Sequence, residues 1–155
     1  MQTITWKNES ETEKTAKQLA QLLESGDVIC LEGDLGAGKT TFTRYLARSL
    51  GIEGNIKSPT FTIMREYQSG HLPLYHMDAY RLEQTGAEGL GIEEYLEGDG
   101  VCVIEWPQYI KEDLEGDYLW ISIEKQGPEG RILSLTGRGK RGEELVEGLI
   151  GGMAK

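Results

Sequence analysis

Apolar residues recur at helical spacing in some segments of the chain and form short unbroken runs in others. The spacing of three and four predicts a helix from about Glu11 to Glu24, with Ser10 as its N-cap, and a second helix that ends near Gly51. The runs 28–31 and 101–104 are apolar at every position, which is typical of central strands covered on both faces. A mostly parallel sheet flanked by helices is therefore expected.

The remaining segments predict shorter elements. They are two adjacent strands or a hairpin over 61–67 and 72–77, a helix over 88–96, a terminal hairpin over 118–124 and 131–136, and a short helix over 143–150. Helices and strands thus alternate through most of the chain. This order predicts a single domain over 1–155 with a three-layer α/β sandwich, a mostly parallel central sheet and an antiparallel extension at one end.

Composition and charge narrow the class of protein. No run approaches the roughly 20 apolar residues of a membrane span, so we expect a cytoplasmic protein without membrane contact. Cys30 and Cys102 lie in apolar runs and are expected to be reduced core residues. The net charge of −10 opposes direct binding of nucleic acid, although basic residues cluster near the end of the chain at Arg131, Arg138, Lys140 and Arg141.

A glycine-rich segment between the first predicted strand and the following helix matches the phosphate-binding pattern G-x-x-x-x-G-K-[ST]. In such a loop the glycines let successive backbone amides point at one centre, and the helix adds its positive dipole end. Lys39 is expected to reach the β- and γ-phosphates and Thr40 to ligate Mg²⁺. The expected nucleotide contacts are Asp34, Leu35, Gly36, Ala37, Gly38, Lys39, Thr40 and Thr41, together with Thr60 farther along the chain.

Two acidic residues follow apolar strands and are candidates for holding the metal. Glu105 comes directly after 101–104, and Asp78 ends the run that begins at Leu74. Glu105 is also a candidate for orienting the attacking water, and the sequence leaves the division of roles between the two acids open. Trp106 is expected to pack beside the strand or to stack on a base or a partner.

Other polar residues are weaker candidates. The segment 58–61 places Thr60 after a rigid turn, where switch segments of nucleotide hydrolases sense the γ-phosphate. His76 is expected to be structural, and Arg81 either binds phosphate or pairs with Glu83 at the surface.

Four motifs together resemble the TsaE (YjeE) family of P-loop ATPases. They are the segments 33–41, 58–61, 76–81 and 104–107, in the order and spacing of that family, and the resemblance covers roughly 12–110. It implies an ATP- and Mg²⁺-dependent hydrolase of the bacterial cytoplasm that associates with the TsaB and TsaD subunits in tRNA threonylcarbamoyladenosine modification. Contact with tRNA would be indirect, through that complex.

The resemblance also implies roles for individual residues. Asp78 is implied to bind Mg²⁺, Glu105 to position metal or water, and Thr60 to lie in the switch-like segment. Lys39, Asp78 and Glu105 are the expected catalytic residues, and Thr40, Asp78 and Glu105 the expected metal-binding set.

Three alternatives remain beside a partner-dependent ATPase. A small-molecule kinase uses the same loop, but its arginine-bearing lid has no counterpart between the loop and Glu105. A GTPase is disfavoured because the chain has no Asn-Lys-x-Asp stretch. A nucleotide-dependent interaction module with negligible turnover also fits the loop.

Overall fold

The structure is a computed structural model that describes residues 2–34, 36–53, 64–80 and 92–153. Its elements are, in chain order, β1 (Gln2–Trp6), α1 (Glu9–Leu22), β2 (Val28–Glu32), α2 (Lys39–Ser49), β3 (Met64–Tyr67), β4 (Leu74–Asp78), α3 (Ile92–Leu96), β5 (Val101–Glu105), β6 (Tyr118–Gln126), β7 (Gly130–Arg138) and α4 (Gly139–Met153). Two 3-10 turns, Pro107–Tyr109 and Lys111–Asp113, follow β5.

The seven described strands form one sheet in the order β1-β7-β6-β2-β5-β4-β3. The central strands β6, β2, β5 and β4 are parallel, whereas β3, β7 and β1 pair antiparallel with their neighbours. The predicted α/β class is confirmed. The antiparallel strands nevertheless lie at both edges of the sheet rather than at one end. The sequence pattern left the direction of β3 undetermined, so the second antiparallel edge was not predicted.

Helices cover one face of the sheet and shorter segments cover the other. Alternate residues of β2 divide between two apolar clusters, with Ile29 and Leu31 facing α1, α2 and α4. Val28 and Cys30 face the side that carries α3 and the 3-10 turns. Burial on both faces explains the unbroken apolar runs of β2 and β5, since a central strand has no solvent face.

Strand β1 and the start of α1 differ from the prediction. Only two of the five residues of β1, Ile4 and Trp6, are buried, and this alternation is too short to predict a strand. Trp6 donates its indole N–H to Thr15 Oγ1 at 2.8 Å and anchors this edge strand in the core. The N-cap of α1 is Asn8, which accepts from the Glu11 amide, and not Ser10 as predicted.

The last helix begins earlier than predicted, and both cysteines are buried as predicted. Helix α4 begins four residues before the predicted Glu143, and residues 61–63 and 88–91 of two predicted elements lie outside the described ranges. Cys30 and Cys102 are buried free thiols, and burial raises the pKa of Cys102 to about 12. Within the described ranges, no helix is long and apolar enough to cross a membrane.

The arginines of the predicted basic cluster turn to different parts of the protein. Arg131 donates to the carbonyl of Ala37, and Arg138 donates to the carbonyl of Leu114. Arg141 pairs with Asp27, a residue that is only 5% exposed.

The Arg141–Asp27 pair joins α4 to the start of β2. The guanidinium donates to both carboxylate oxygens of Asp27 at 2.8 Å and to the carbonyl of Leu22 at 2.6 Å. The hydrogen bond to Asp27 raises the pKa of Arg141 above its ordinary value. Asp27 also accepts from the Glu24 amide at 2.7 Å, but it is Arg141 that supplies the opposite charge.

We expect Arg141→Met to lower the free energy of unfolding by about 3 kcal/mol, because it leaves the buried Asp27 carboxylate without its cation. Urea titration followed by circular dichroism measures the change. The matched control is Arg138→Met, which removes an arginine that bonds one carbonyl and costs about 1 kcal/mol. Equal losses in the two variants would show that the buried pair has no special weight.

Candidate functional site

The described residues between β2 and α2, which are 33–34 and 36–38, have backbone features that are typical of a phosphate-binding loop. Gly38 is the N-cap of α2 with φ +109°, a conformation that favours glycine, and α2 has no side-chain cap. A side chain at Gly33 would meet the carbonyl of Ile123 at 2.8 Å. The first amides of α2 are therefore free of a side-chain partner at the positive end of the helix dipole, where an anion is stabilised.

Lys39 is the first residue of α2, and it is turned back into its own loop. Its Nζ donates to the carbonyl of Gly33 at 2.6 Å and lies 3.6 Å from the centre of the Trp106 ring. The residue is only 5% exposed. The ammonium group is thus held by a carbonyl and an aromatic face at the place where a phosphate would bind.

Burial lowers the pKa of Lys39 below its ordinary value, against the opposing charges of four nearby acids. The acids act in the order Glu105, Asp78, Asp34 and Glu32, and each favours the charged ammonium. A phosphate anion arriving at the loop would add to their effect and stabilise the charge further.

Asp78 and Glu105 lie opposite each other at the carboxyl ends of β4 and β5. Glu105 is paired on its other side with Leu31 of β2, the strand that leads into the loop. Both predicted acids therefore lie, like Lys39, at the carboxyl ends of the parallel strands, which is where open α/β sheets bind their ligands.

His76 contacts Glu105 directly, which gives it more than the structural role predicted for it. Its Nε2 lies 2.5 Å from Glu105 Oε2, and both residues are buried. With its proton on Nε2 the imidazole donates to this carboxylate oxygen, and the contact fixes one oxygen of Glu105. Residues 76 and 78 share one face of β4, a period-two relation that the sequence contained.

Burial raises the pKa of Asp78 above its ordinary value, and the charge of Glu105 raises it further. The hydrogen bond from the Tyr80 amide to Asp78 Oδ1, 3.0 Å long, acts in the opposite direction. A divalent cation beside Asp78 would favour the ionised carboxylate, because an opposite charge lowers the pKa of an acid.

Trp106 belongs to a cluster of three aromatic rings beside the loop. It stacks on Tyr109 at 6.1 Å between ring centres and meets the edge of Tyr80 at 5.0 Å. Tyr80 is 53% exposed. Trp106 has φ +58° and is the one non-glycine residue with positive φ in the described part of the chain. Such strain is concentrated at functional sites, and here it turns the indole over Lys39.

A cavity of about 200 Å³ adjoins the loop on the side of β1 and α1. Gly38 and Thr41 line it from the loop and α2, Trp6 and Thr12 from the first two elements, and Arg131 from β7. Arg131 also donates Nε–H to the carbonyl of Ala37 at 2.8 Å. No sequence signal joins these two residues, which are 94 positions apart.

The structure brings most of the predicted site residues together. Asp34 and Gly36 are exposed on the loop, Ala37 is buried under it, and Thr40 and Thr41 lie half-buried in the first turn of α2. Leu35, Thr60 and Arg81 lie outside the described residues.

The acids fit Mg²⁺ through their chemistry rather than through a complete ligand shell. In the described part of the chain, no three His, Cys, Asp or Glu side chains are grouped closely enough to hold a metal. Magnesium ordinarily takes only one or two carboxylates and completes its shell with water and substrate phosphates. The facing carboxylates of Asp78 and Glu105 are compatible with that arrangement.

Comparison with known proteins identifies similar chains. The family model described as threonylcarbamoyl adenosine biosynthesis protein TsaE matches residues 6–133. The tRNA threonylcarbamoyladenosine biosynthesis protein TsaE of Bacillus subtilis is 48% identical over 151 residues, which cover 96% of this chain and 95% of that protein. The protein of the same name from Streptomyces coelicolor is 41% identical over 133 residues, covering 81% and 89% of the two chains.

A solved structure extends the similarity to the fold. The crystal structure of YdiB from Bacillus subtilis superposes with a TM-score of 0.80 at 43% sequence identity, and the match covers 98% of this chain and 97% of that one. Sequence and fold therefore agree across nearly the whole chain.

Proposed function

The chain belongs to the threonylcarbamoyl adenosine biosynthesis protein TsaE family, and on this basis we propose that it is a Mg²⁺-dependent ATPase whose turnover depends on the TsaB and TsaD subunits. The observation that carries the proposal is the placement of Lys39 and the Gly33–Gly38 loop beside the facing acids Asp78 and Glu105. ATP hydrolysis needs groups that bind phosphate beside groups that hold the metal and activate water, and these residues lie together at the carboxyl ends of the strands.

The loop and Lys39 hold the phosphates. The amides at the start of α2, which no side chain caps, would face the anion, and Lys39 would exchange the Gly33 carbonyl and the Trp106 ring for phosphate oxygens. The nucleoside half of ATP would enter the cavity of about 200 Å³ beside Gly38 and Thr41. ATP is therefore a better ligand for this site than inorganic phosphate.

The two acids divide the remaining work. Asp78 and the Thr40 hydroxyl would hold Mg²⁺, which would neutralise the charge that develops on the phosphates. Glu105 accepts a hydrogen bond from water, because His76 fixes its other oxygen and so orients the carboxylate. The water oxygen would then attack the γ-phosphorus as the bond to the bridging oxygen breaks, Glu105 would take up the proton that the water loses, and ADP and inorganic phosphate would be the products.

The resting state of the site favours slow turnover by the isolated chain. Lys39 is held away from solvent by Trp106, and the loop of residues 33–38 offers no arginine for the γ-phosphate. We propose that TsaB and TsaD complete or rearrange the site in the cytoplasm. The net charge of −10 agrees with tRNA contact through these subunits rather than directly.

The fate of the γ-phosphate tests the reaction class. With γ-labelled ATP, Mg²⁺ and the purified chain, we expect the label to appear as inorganic phosphate, slowly, and to disappear when Mg²⁺ is removed by chelation. Label on a small-molecule acceptor would instead establish a kinase. Tight ATP binding without any release of label, even with the partner subunits, would establish a binding module.

A further inference from the structure

Arg131 links the phosphate loop to the β6–β7 turn. It lies at the start of β7, opposite Trp6 of β1, and is half-buried. Its Nε donates to the carbonyl of Ala37 at 2.8 Å, and its NH1 donates to the carbonyl of Gly130 at 2.7 Å. One guanidinium thus bonds both segments, and its planar fork holds the two carbonyls in a fixed relation.

The carbonyl of Ala37 needs this partner. Ala37 is only 1% exposed, so bulk water has little access to the residue, and an unpaired buried carbonyl carries a free-energy cost. The Ala37 amide is fixed separately by the carbonyl of Asp34 at 2.9 Å. Both backbone polar groups of Ala37 are therefore bonded before any ligand arrives.

The bond to Arg131 also sets the direction of the next amide, that of Gly38. In a planar trans peptide the C=O of one residue and the N–H of the next point in opposite directions. Holding the Ala37 carbonyl toward Arg131 consequently aims the Gly38 N–H away from Arg131. Gly38 has φ +109° and no side chain, so nothing of its own prevents this peptide from rotating.

We propose that Arg131 is a positioning residue that locks the Ala37–Gly38 peptide with the Gly38 amide directed into the phosphate cradle. This inference builds on the proposed function, because it assigns a role within the same site. Arg131 acts through the loop backbone, so its loss weakens the binding of any polyphosphate and not only of ATP.

The test compares Arg131→Met with Arg138→Met by calorimetric titration of ATP and inorganic tripolyphosphate. Both variants remove an arginine of β7 that bonds a backbone carbonyl, but only Arg131 reaches the loop. We expect Arg131→Met to weaken both ligands about tenfold, the value of a charge-assisted hydrogen bond, and Arg138→Met to leave both unchanged. Arg131→Lys keeps one charged donor and should restore most of the affinity.

Unchanged affinity for both ligands in Arg131→Met would overturn the inference. A loss for ATP alone would also overturn it, since it would place Arg131 on the nucleoside and not behind the loop.

Amide exchange gives a second readout that needs no ligand. In the free protein we expect the Ala37 amide to exchange about tenfold faster in Arg131→Met than in Arg138→Met, because the loop opens more often. Equal rates would contradict the inference. If neither the wild type nor Lys39→Met binds ATP or tripolyphosphate, the proposed function fails. Amide exchange in the free protein still decides the role of Arg131.

Discussion

Replacing Lys39 by Met is expected to reduce kcat/KM for ATP hydrolysis by about 10²–10³-fold, as for the loss of a group that stabilises developing charge. Without ligand, the Lys39→Met variant should be at least as stable as the ligand-free wild type. Burial already disfavours the charge of Lys39 in the folded chain, as its lowered pKa shows. Methionine fills similar space without an ion to desolvate.

The two readouts are steady-state kinetics and thermal unfolding at several pH values. Because its folded pKa lies below 10.5, Lys39 releases its proton more easily in the folded chain, so its contribution makes stability rise with pH up to 10.5. Lys39→Met should lose that slope. Lys125→Met, which removes an exposed lysine near Gly36, is the charge-matched control and should hydrolyse ATP within about threefold of wild type. Equal kinetic losses would reduce Lys39 to a general charge effect.

Asp78→Asn is expected to lower kcat by about 10²-fold while the Kd for ATP changes much less, because the carboxylate acts on the metal and the transition state. Asparagine keeps the oxygen that accepts from the Tyr80 amide, so the local backbone is preserved. A comparable loss of affinity and turnover would instead assign Asp78 to binding alone.

The same variant should raise the melting temperature at neutral pH. The raised pKa of Asp78 means that its ionised form is disfavoured by folding, so the residue destabilises the protein above its folded pKa. The gain in Asp78→Asn should shrink as the pH falls from the folded pKa toward 3.8, where the unfolded carboxyl also takes up a proton. Asp113→Asn, at an exposed position in a 3-10 turn, is the control and should show no such gain.

The parts of the fold with strong periodicity could be predicted from the sequence. The runs that form β2 and β5 are buried on both faces, and the helical spacing before Gly51 gives α2. β1 could not be predicted from the same signal, because an edge strand of five residues buries only Ile4 and Trp6. Its place depends on pairing with β7, a contact between the two ends of the chain.

The site shows the same division between local and distant information. The loop, Lys39, Asp78 and Glu105 could be predicted because each stands at a strand end or in a local motif. The contacts of His76 with Glu105 and of Arg131 with Ala37 join residues 29 and 94 positions apart. Contacts of that kind are set by strand order and register, which the sequence pattern left undetermined.

The most direct test of the central claim is ATP hydrolysis by the purified chain with Mg²⁺, alone and with added TsaB and TsaD, with Lys39→Met in parallel. We predict weak turnover alone, a rise of at least about tenfold in the mixture, and no activity above the partner subunits by themselves when the variant replaces the wild type. Fast turnover in isolation that does not change on adding the partners would contradict a partner-dependent ATPase.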